Sequence, residues 1–122
     1  MIYFAHSKKI YGTDAEEALR DLIENTLGKR FKVICPNRDL IYDGRGMELY
    51  LAQVRKSKLV ICSEYRGFVG KGVYEEVKEA IKNNIPVYAL RGLSFIYVKD
   101  VEINDVDDWG VEYGKLITEN LK

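Results

Sequence analysis

The chain has 122 residues, of which 47% are hydrophobic and 31% charged, a composition typical of one folded domain rather than a disordered chain. Lysine plus arginine and aspartate plus glutamate number 19 each, so the formal net charge is zero. This balance disfavours a protein that binds a nucleic acid polymer or a membrane surface through bulk charge. The length and composition of the chain predict a single domain over residues 1–122.

Neither membrane insertion nor metal binding is indicated by the sequence. There is no charged-then-apolar leader segment and no long apolar stretch, which favours a cytoplasmic protein. Cys35 and Cys62 each lie in an apolar run and are interpreted as buried free thiols. With only one histidine, the chain offers too few closely spaced ligands for a metal site. We predict no metal and no organic cofactor.

Short apolar runs alternate with helical periodicity, which predicts βαβ units on a parallel sheet. The first strand is predicted over residues 1–5. The stretch from Thr13 to Glu16 has the pattern of a capping box, and the helix that it opens is expected to end at Gly28. The predicted inward face of this helix comprises Ala15, Ala18, Leu19, Leu22 and Thr26.

The later elements follow the same alternation. A strand over residues 31–35 ends at Pro36, and a polar loop from Asn37 to Arg45 leads to a second helix. That helix is marked by Met47, Tyr50, Leu51 and Val54. Further strands are predicted over residues 58–62, 86–90, 95–98 and 101–103. A last helix over residues 108–121 is expected to face inward with Trp109, Tyr113, Leu116 and Ile117.

Together these elements predict an α/β fold, a flavodoxin- or Rossmann-like three-layer α/β/α sandwich with a mainly parallel five-stranded sheet. In such sheets, ligands bind beyond the carboxyl ends of the strands. Residues 6–12, 37–45 and 64–72 are therefore expected to meet at one cleft.

A third helix, beginning near Val73, carries two adjacent glutamates. At 100° per residue its inward stripe comprises Val73, Val77, Ala80 and Asn84. Glu76 lies about 60° from Val73, at the margin of this stripe, whereas Glu75 faces water. The helix dipole stabilises carboxylates near a helix N-terminus. A carboxylate directed towards the sheet is also a candidate functional group, because its burial is costly without partners. Both interpretations of Glu76 stay open.

Three stretches of the sequence resemble the nucleoside 2-deoxyribosyltransferase superfamily, which includes the deoxynucleoside 5′-monophosphate N-glycosidases. Ile2 to Ser7 is similar to the first strand and its turn, and Leu59 to Ile61 to the strand before the active-site loop. Gly72 to Ala80, followed by Ile85 to Val87, is similar to the helix with its glutamate and the next strand. The resemblance covers most of residues 1–90 and is carried by the order and spacing of the motifs.

The resemblance implies cleavage or transfer at the N-glycosidic bond of a deoxynucleoside or its 5′-monophosphate. In that family a helix glutamate attacks C1′ of the sugar, expels the base and forms a glycosyl-enzyme intermediate. Glu76 matches this nucleophile, and Tyr3 matches the tyrosine that holds it by a hydrogen bond. A core aromatic is the alternative interpretation of Tyr3. The resemblance also implies a homodimer or larger homo-oligomer.

The chain departs from the family at two acidic positions, where Lys58 or Tyr50, and Gly70, stand instead. The leaving base needs protonation or hydrogen bonding, so other acids would have to act. The candidate replacements are Glu64, Asp43 and Glu48. Glu64 ranks first because its strand end is expected to open towards the cleft. A solvated surface carboxylate is the alternative for each.

The turn after the first strand is the candidate binding segment for a phosphate. His6, Ser7 and Lys8 combine backbone N–H groups, a hydroxyl and a cation ahead of a helix N-terminus. Gly70 and Gly72 are expected to let the backbone approach a ligand closely. No Walker loop is present, because no Gly-Lys-Ser/Thr ending occurs. Solvated lysines and a hydrogen-bonded turn histidine are the alternatives.

Two other functions remain open on the sequence. One is a non-catalytic nucleotide-binding or sensing domain that has lost its acids. The other is an interaction module in which the cleft binds no ligand. Stabilisation by nucleotides would separate the first from the second.

Overall fold

The computed structural model describes residues 1–28, 30–41, 44, 46–64, 68–108 and 111–119. The described strands are β1 (Ile2–Ala5), β2 (Val33–Ile34), β3 (Leu59–Ser63), β4 (Phe68–Gly70), β5 (Val87–Arg91), β6 (Ser94–Asp108) and β7 (Val111–Glu119). The described helices are α1 (Asp14–Leu27), α2 (Pro36–Asp39), α3 (Glu48–Lys56) and α4 (Lys71–Lys82), and a 3-10 turn covers Lys8–Ile10. The predicted α/β class is confirmed.

The described strands form one mixed sheet in the order β2-β1-β3-β5-β6-β7-β4. The neighbours among β2, β1, β3 and β5 are parallel, whereas β6, β7 and β4 are added by antiparallel pairing. Parallel pairing therefore covers β2, β1, β3 and β5, and the described sheet is mixed, with more strands than the five expected. The change of direction occurs because β5 and β6 are joined by the two-residue turn Gly92-Leu93, where Gly92 has a φ of 63°. Such a turn fits a hairpin, not a parallel crossover.

The predicted last helix is wrong. Residues Val111–Glu119 form β7, which pairs with β6, and the predicted strand at 101–103 is one part of β6. The segment contains Gly114 and several β-branched or aromatic residues, which weaken a helix and favour a strand once a partner strand is available. Leu116 is buried as predicted. Trp109 lies outside the described residues.

Successive side chains of the parallel strands point to opposite faces of the sheet. On one face, Ile2, Phe4 and Ile61 pack against Ile23 of α1. The inward face of α1 differs from the prediction. Leu19 and Leu22 are partly buried as expected, and Ile23 and Glu16 are buried, whereas the predicted residues Ala15, Ala18 and Thr26 are exposed.

The other face of the sheet is covered by α4. Tyr3, Val60 and Cys62 pack with Val73 and other apolar residues of this helix. Residues of the antiparallel strands belong to the same cluster, namely Val69 of β4, Val98 of β6 and Leu116 of β7. Since β4 precedes α4 directly and yet lies at the far edge of the sheet, the antiparallel strands curve back onto the helix.

Candidate functional site

Glu76 is a buried carboxylate in the second turn of α4. The helix begins at Lys71, so Glu76 is its sixth residue, and its first turn contains no acidic residue. Glu76 is only 5% exposed, whereas Glu75 is partly exposed, so helical phase separated the two correctly. The dipole effect falls off within the first turn. It therefore does not account for a buried carboxylate at this position.

The inward stripe of α4 is otherwise close to the prediction. Val73, Val77 and Ala80 are buried. Asn84 is exposed and lies beyond the end of the helix at Lys82, with a φ of 57°. The helix is therefore shifted by about two residues towards the N-terminus relative to the prediction, and Glu76 moves from its first turn to its second.

The protonation of Glu76 is set by burial. Loss of solvent raises the pKa of Glu76 to about 8, and the neighbouring hydroxyl of Tyr3 opposes this shift. At pH 7 most molecules therefore hold this carboxyl protonated, and a minority carry the carboxylate. The group titrates close to neutral pH, in the range that acid–base and nucleophilic chemistry requires.

Tyr3 lies on β1, fully buried on the sheet face that α4 covers. Burial and the charge of Glu76 raise the pKa of Tyr3, so its hydroxyl keeps its proton. The hydroxyl makes no well-aligned hydrogen bond with the described residues, although it influences Glu76 electrostatically. Tyr3 is thus the neighbour of Glu76 that the resemblance implies.

Two further tyrosines contribute to the environment of Glu76. Burial, followed by the charge of Glu76, raises the pKa of Tyr11 to about 12. Tyr50 of α3 acts on both Tyr3 and Tyr11 and so lies near the same group. Sequence reasoning used Tyr50 to mark a helix and as one of two residues that could stand in place of a family acid, although an inward tyrosine with a polar tip is itself a signal. Tyr11 follows a 3-10 turn, where no periodicity identifies it.

His6 is buried at the end of β1, and both its ring nitrogens have partners. Nδ1 lies 2.9 Å from the carbonyl oxygen of Phe4, and Nε2 lies 2.6 Å from Oε2 of Glu16. The ring stacks on Phe4 at a centroid distance of 4.2 Å and meets Tyr11 edge-on at 5.0 Å. A carbonyl oxygen only accepts, so Nδ1 donates to Phe4.

Glu16 completes this buried cluster. Its other oxygen, Oε1, accepts hydrogen bonds of 3.3 Å from the Gly12 amide and from Nδ2 of Asn37. Burial alone would raise the pKa of Glu16, but its hydrogen bonds with His6, Gly12 and Asn37 together lower it. An ionised Glu16 requires Nε2 of His6 to donate as well, because a carboxylate only accepts. We assign His6 and Glu16 as a buried ion pair by this count of donors.

The His6–Glu16 pair changes the expected role of the turn. The Thr13 hydroxyl accepts from the Glu16 amide at 3.3 Å, which is half of the predicted capping box. In the other half of a capping box, the Glu16 carboxylate would accept from the Thr13 amide. Here it accepts from the Gly12 amide instead. The His6 ring and the Gly12 amide are therefore engaged inside the protein.

The remaining predicted binding residues lie at different depths. Ser7 is partly buried and Lys8 is exposed on the 3-10 turn. Gly70 is the N-cap of α4, and a side chain there would meet open space. A Cβ at Gly72 would contact the Met47 side chain at 4.0 Å, so this glycine faces the protein. Asp43 lies outside the described residues.

Glu64 follows β3 directly and pairs with Arg91, the last residue of β5. Ser63 and Leu90 are partners in the parallel register, which brings the next residue of each strand together. Arg91 Nε donates to Glu64 Oε1, while the Glu64 side chain is only 2% exposed and its Oε2 is buried without a partner among the described residues.

Cys62 links the two carboxylates of the site. Burial raises the pKa of its thiol, and the charges of Glu64 and Glu76 raise it further. The charges of both carboxyls therefore act on one buried thiol, which lies on the sheet face that α4 covers. The structure brings Tyr3 and Glu76 together with Tyr11 and Tyr50 near them, and it pairs Glu64 with Arg91 where β3 and β5 end. Sequence reasoning did not identify Tyr11 or Arg91.

Within the described part of the chain, no group of three or more His, Cys, Asp or Glu residues is arranged to hold a metal ion. No described helix is both long enough and apolar enough to cross a membrane. Protein-family models, curated proteins and solved structures were compared with this chain, and none matches it. The family resemblance therefore stays a prediction from the sequence motifs.

Proposed function

We propose that this protein cleaves or transfers the N-glycosidic bond of a deoxynucleoside or its 5′-monophosphate, with Glu76 as the nucleophile. The observation that carries the proposal is the burial of Glu76 beside Tyr3, Cys62 and Tyr11, which raises the pKa of this carboxyl to about 8. Burying a carboxyl in this way costs folding free energy. Strongly perturbed carboxyls of this kind cluster at functional sites.

The reaction follows the double-displacement scheme of retaining glycosidases. A carboxylate oxygen of Glu76 bonds to C1′ as the bond from C1′ to the base nitrogen breaks, and the base leaves with the bonding electrons and takes a proton from solvent. In the second step a water oxygen, or the nitrogen of another base, bonds to C1′ and gives up its proton to solvent. The ester bond to Glu76 breaks and its carboxylate is restored. The proposal covers both hydrolysis by water and transfer to a second base.

Tyr3 is the positioning residue in this scheme. Its protonated hydroxyl stabilises the ionised form of Glu76, because it lowers the pKa that burial raises. A hydroxyl without a well-aligned partner can turn towards Glu76 or towards the sugar. Catalytic hydrogen bonds are often long or poorly aligned before substrate binds and tighten in the complex.

Glu64 is better suited to accept a hydrogen bond from the substrate than to donate a proton to the leaving base. Its Oε1 accepts from the Arg91 guanidinium, and its Oε2 is an unused acceptor. Asp43 remains the other candidate from the sequence. For a 5′-phosphate, the proposed contacts are Ser7 and the exposed cation of Lys8, because the His6 ring is held by Glu16.

Several wider features belong to this proposal. The buried and unpaired thiols of Cys35 and Cys62 fit the reducing cytoplasm. The position of α1 on one face of the sheet and of α4 on the other supports the flavodoxin- or Rossmann-like three-layer arrangement. Assembly into a homodimer or larger homo-oligomer remains a proposal from the resemblance, and size-exclusion chromatography with light scattering tests it.

The experiment is to incubate the protein with deoxynucleosides and their 5′-monophosphates and to quantify free base by chromatography. We expect base release by the wild type, a loss of about a thousandfold or more for Glu76→Ala, in keeping with removal of a covalent nucleophile, and little change for Glu75→Ala. Glu75 is the matched control because it is the adjacent residue on the same helix. Base release unchanged in Glu76→Ala would remove Glu76 from the mechanism.

One observation favours a second function, a non-catalytic nucleotide-binding or sensing domain. With a pKa of about 8, Glu76 is mostly protonated at pH 7, and Lys58 and Gly70 stand where the similar enzymes have acids. A sensing domain predicts that nucleotides raise the melting temperature while no base is released at any pH from 6 to 9. Release that increases towards pH 9 supports the enzyme instead.

A further inference from the structure

We infer that the Glu64–Arg91 pair reads the base of the ligand and selects an amino-substituted base, such as adenine or cytosine, over its oxo counterpart. The inference rests on the nucleotide-binding part of the proposed function. It begins from one atom, Oε2 of Glu64, which is buried and has no hydrogen-bond partner among the described residues. An unsatisfied buried acceptor of this kind is costly, and a ligand donor would satisfy it.

The position of Glu64 points to the base rather than to the sugar or phosphate. Glu64 lies two residues beyond Cys62 along the direction of β3, and two residues of a strand span about 7 Å. Both Cys62 and Glu76 belong to the covered face, and Glu76 marks where C1′ must lie. A phosphate is disfavoured at Glu64 because both groups are negative.

The hydrogen-bonding chemistry of Glu64 and Arg91 accounts for the preference for an amino group on the base. Arg91 carries donors only, so its bond to Oε1 holds Glu64 as an acceptor and leaves Oε2 as the atom that faces a ligand. An exocyclic amino group donates to such an oxygen. An oxo group would place two acceptors against each other in a desolvated site, and sites built around a hydrogen bond discriminate strongly against such mismatches.

Arg91 is a positioning residue in this account. Its side chain is 45% exposed, so it holds Glu64 from the solvent side and contributes little to the core. Loss of Arg91 frees Oε1 and allows the Glu64 carboxyl to rotate, so that it no longer presents a fixed acceptor to the base. The expected result is a loss of base preference with the fold intact.

Arg55 provides a matched control. It is 37% exposed and bonds to two carboxylates, Glu48 at 2.6 Å and Glu79 at 3.0 Å. These bonds join α3 to α4 at the outer surface. Arg55→Gln thus removes an exposed arginine and its ion pairs without touching Glu64.

The test measures nucleotide binding in the Glu76→Gln background, which separates recognition from bond cleavage. Dissociation constants are determined by calorimetry for deoxyadenosine against deoxyinosine 5′-monophosphate, and for deoxycytidine against deoxyuridine 5′-monophosphate. We expect the amino member of each pair to bind at least tenfold more tightly. Glu64→Gln, whose amide can donate, and Arg91→Gln should both reduce this ratio to near one, whereas Arg55→Gln should keep it.

The outcomes distinguish this inference from the proposed function. Base release by the wild type combined with equal binding of amino and oxo nucleotides overturns the inference and leaves the enzyme proposal in place. An amino preference without base release supports the inference and contradicts the enzyme proposal. Absence of binding by all four nucleotides overturns the inference. If Glu64→Gln does not fold, Arg91→Gln alone tests the inference, because the Arg91 side chain is half exposed.

Discussion

The hydroxyl of Tyr3 and the carboxyl of Glu76 lie side by side in the core between β1 and α4, and the hydroxyl lowers a pKa that burial has raised to about 8. The two effects oppose each other, and burial is the larger. Glu76 is therefore a group whose protonation changes near neutral pH inside a packed interior. Both the stability of the protein and its proposed chemistry should depend on this titration.

The first prediction concerns stability. An unfolded glutamate titrates near 4.5 and the native Glu76 near 8, so between these pH values the native state holds a proton that the unfolded state has lost. Stability from this group is therefore full below pH 4.5 and decreases as pH rises towards 8, by about 3 kcal/mol at pH 7. Glu76→Gln, which mimics the protonated group, should raise the free energy of unfolding at pH 7 and flatten its decrease with pH. Urea titrations between pH 5 and 8 measure both effects.

The adjacent variant Glu75→Gln is the control for this stability experiment. It changes a partly exposed carboxyl one position away on the same helix. Its unfolding free energy should follow the wild-type dependence on pH. A Glu76→Gln variant that is less stable than the wild type at pH 7 would show that the buried carboxyl is compensated by partners.

The second prediction concerns the pH dependence of base release. A nucleophile acts in its ionised form, so kcat/KM should rise with pH and level off above an apparent pKa near 8. Tyr3→Phe removes the hydroxyl that lowers this pKa, so the rise should move to higher pH while kcat at neutral pH falls. A profile that decreases through pH 8 would assign Glu76 as an acid instead.

Tyr88→Phe is the control for Tyr3→Phe. Tyr88 lies on β5, where its ring meets that of Tyr97 edge-on at a centroid distance of 5.5 Å. Tyr88 is the register partner of Ile61, so it points to the sheet face that α1 covers, opposite to the face of Glu76. The pH profile of Tyr88→Phe should therefore match that of the wild type, and a shift of equal size in both variants would show a nonspecific effect.

The third prediction concerns the ion pair of His6 and Glu16. Its partners are buried, and removing one partner of such a pair leaves an uncompensated charge, at a typical cost of about 3–5 kcal/mol. Glu16→Gln should lose stability on this scale at pH 7. Because the native pKa of Glu16 is lowered, the stability it contributes is present above its unfolded value of 4.5 and lost as pH falls, so the difference from wild type should shrink in acid.

Glu17→Gln is the matched comparison for Glu16→Gln. Glu17 accepts a bond of 2.7 Å from Arg38, and both side chains are exposed. Exposed pairs contribute about 0–1 kcal/mol. Thermal or urea unfolding of the two variants should differ by several kcal/mol, and equal losses would contradict the assignment of a buried ion pair.

The fourth prediction concerns the 5′-phosphate. Lys8 is exposed on the turn after β1, so Lys8→Ala should leave the fold intact. It should raise KM for a deoxynucleoside 5′-monophosphate by roughly tenfold, the scale of one charge-assisted contact, and leave KM for the free nucleoside unchanged. Lys82 is an exposed lysine at the C-terminal end of α4, away from the turn that carries Lys8. Lys82→Ala should therefore change neither KM value. An equal effect of Lys8→Ala on both substrates would exclude a phosphate contact.

Local periodicity predicted the features of the site that depend on one element. The phase of α4 identified Glu76 as the inward glutamate because apolar residues mark one stripe of a helix. The strands β1 and β3 were likewise predictable from short apolar runs. The N-terminal end of α4 was harder to predict, because the strand Phe68–Gly70 precedes it directly and is stabilised by β7, which is distant in the sequence.

Long-range pairing accounts for what the sequence did not predict. α1 turns Glu16 inward because His6 stands opposite, a contact that no helical pattern contains. Residues 111–119 become a strand through pairing with β6, although their apolar spacing also fits a helix. Arg91 reaches Glu64 because β3 and β5 are neighbours in the sheet. Each of these residues is unremarkable until the strand order is known.

The most direct test of the account is mass spectrometry of the protein during turnover. A 2′-fluoro-substituted deoxynucleoside slows hydrolysis of the proposed ester, so the glycosyl group should accumulate on the enzyme. After acid quenching and proteolysis, we expect the added sugar mass on the peptide that contains Glu76, with fragmentation placing it on Glu76 and not on Glu75. Free base released without any glycosylated peptide, or a sugar attached at another residue, would contradict Glu76 as the nucleophile.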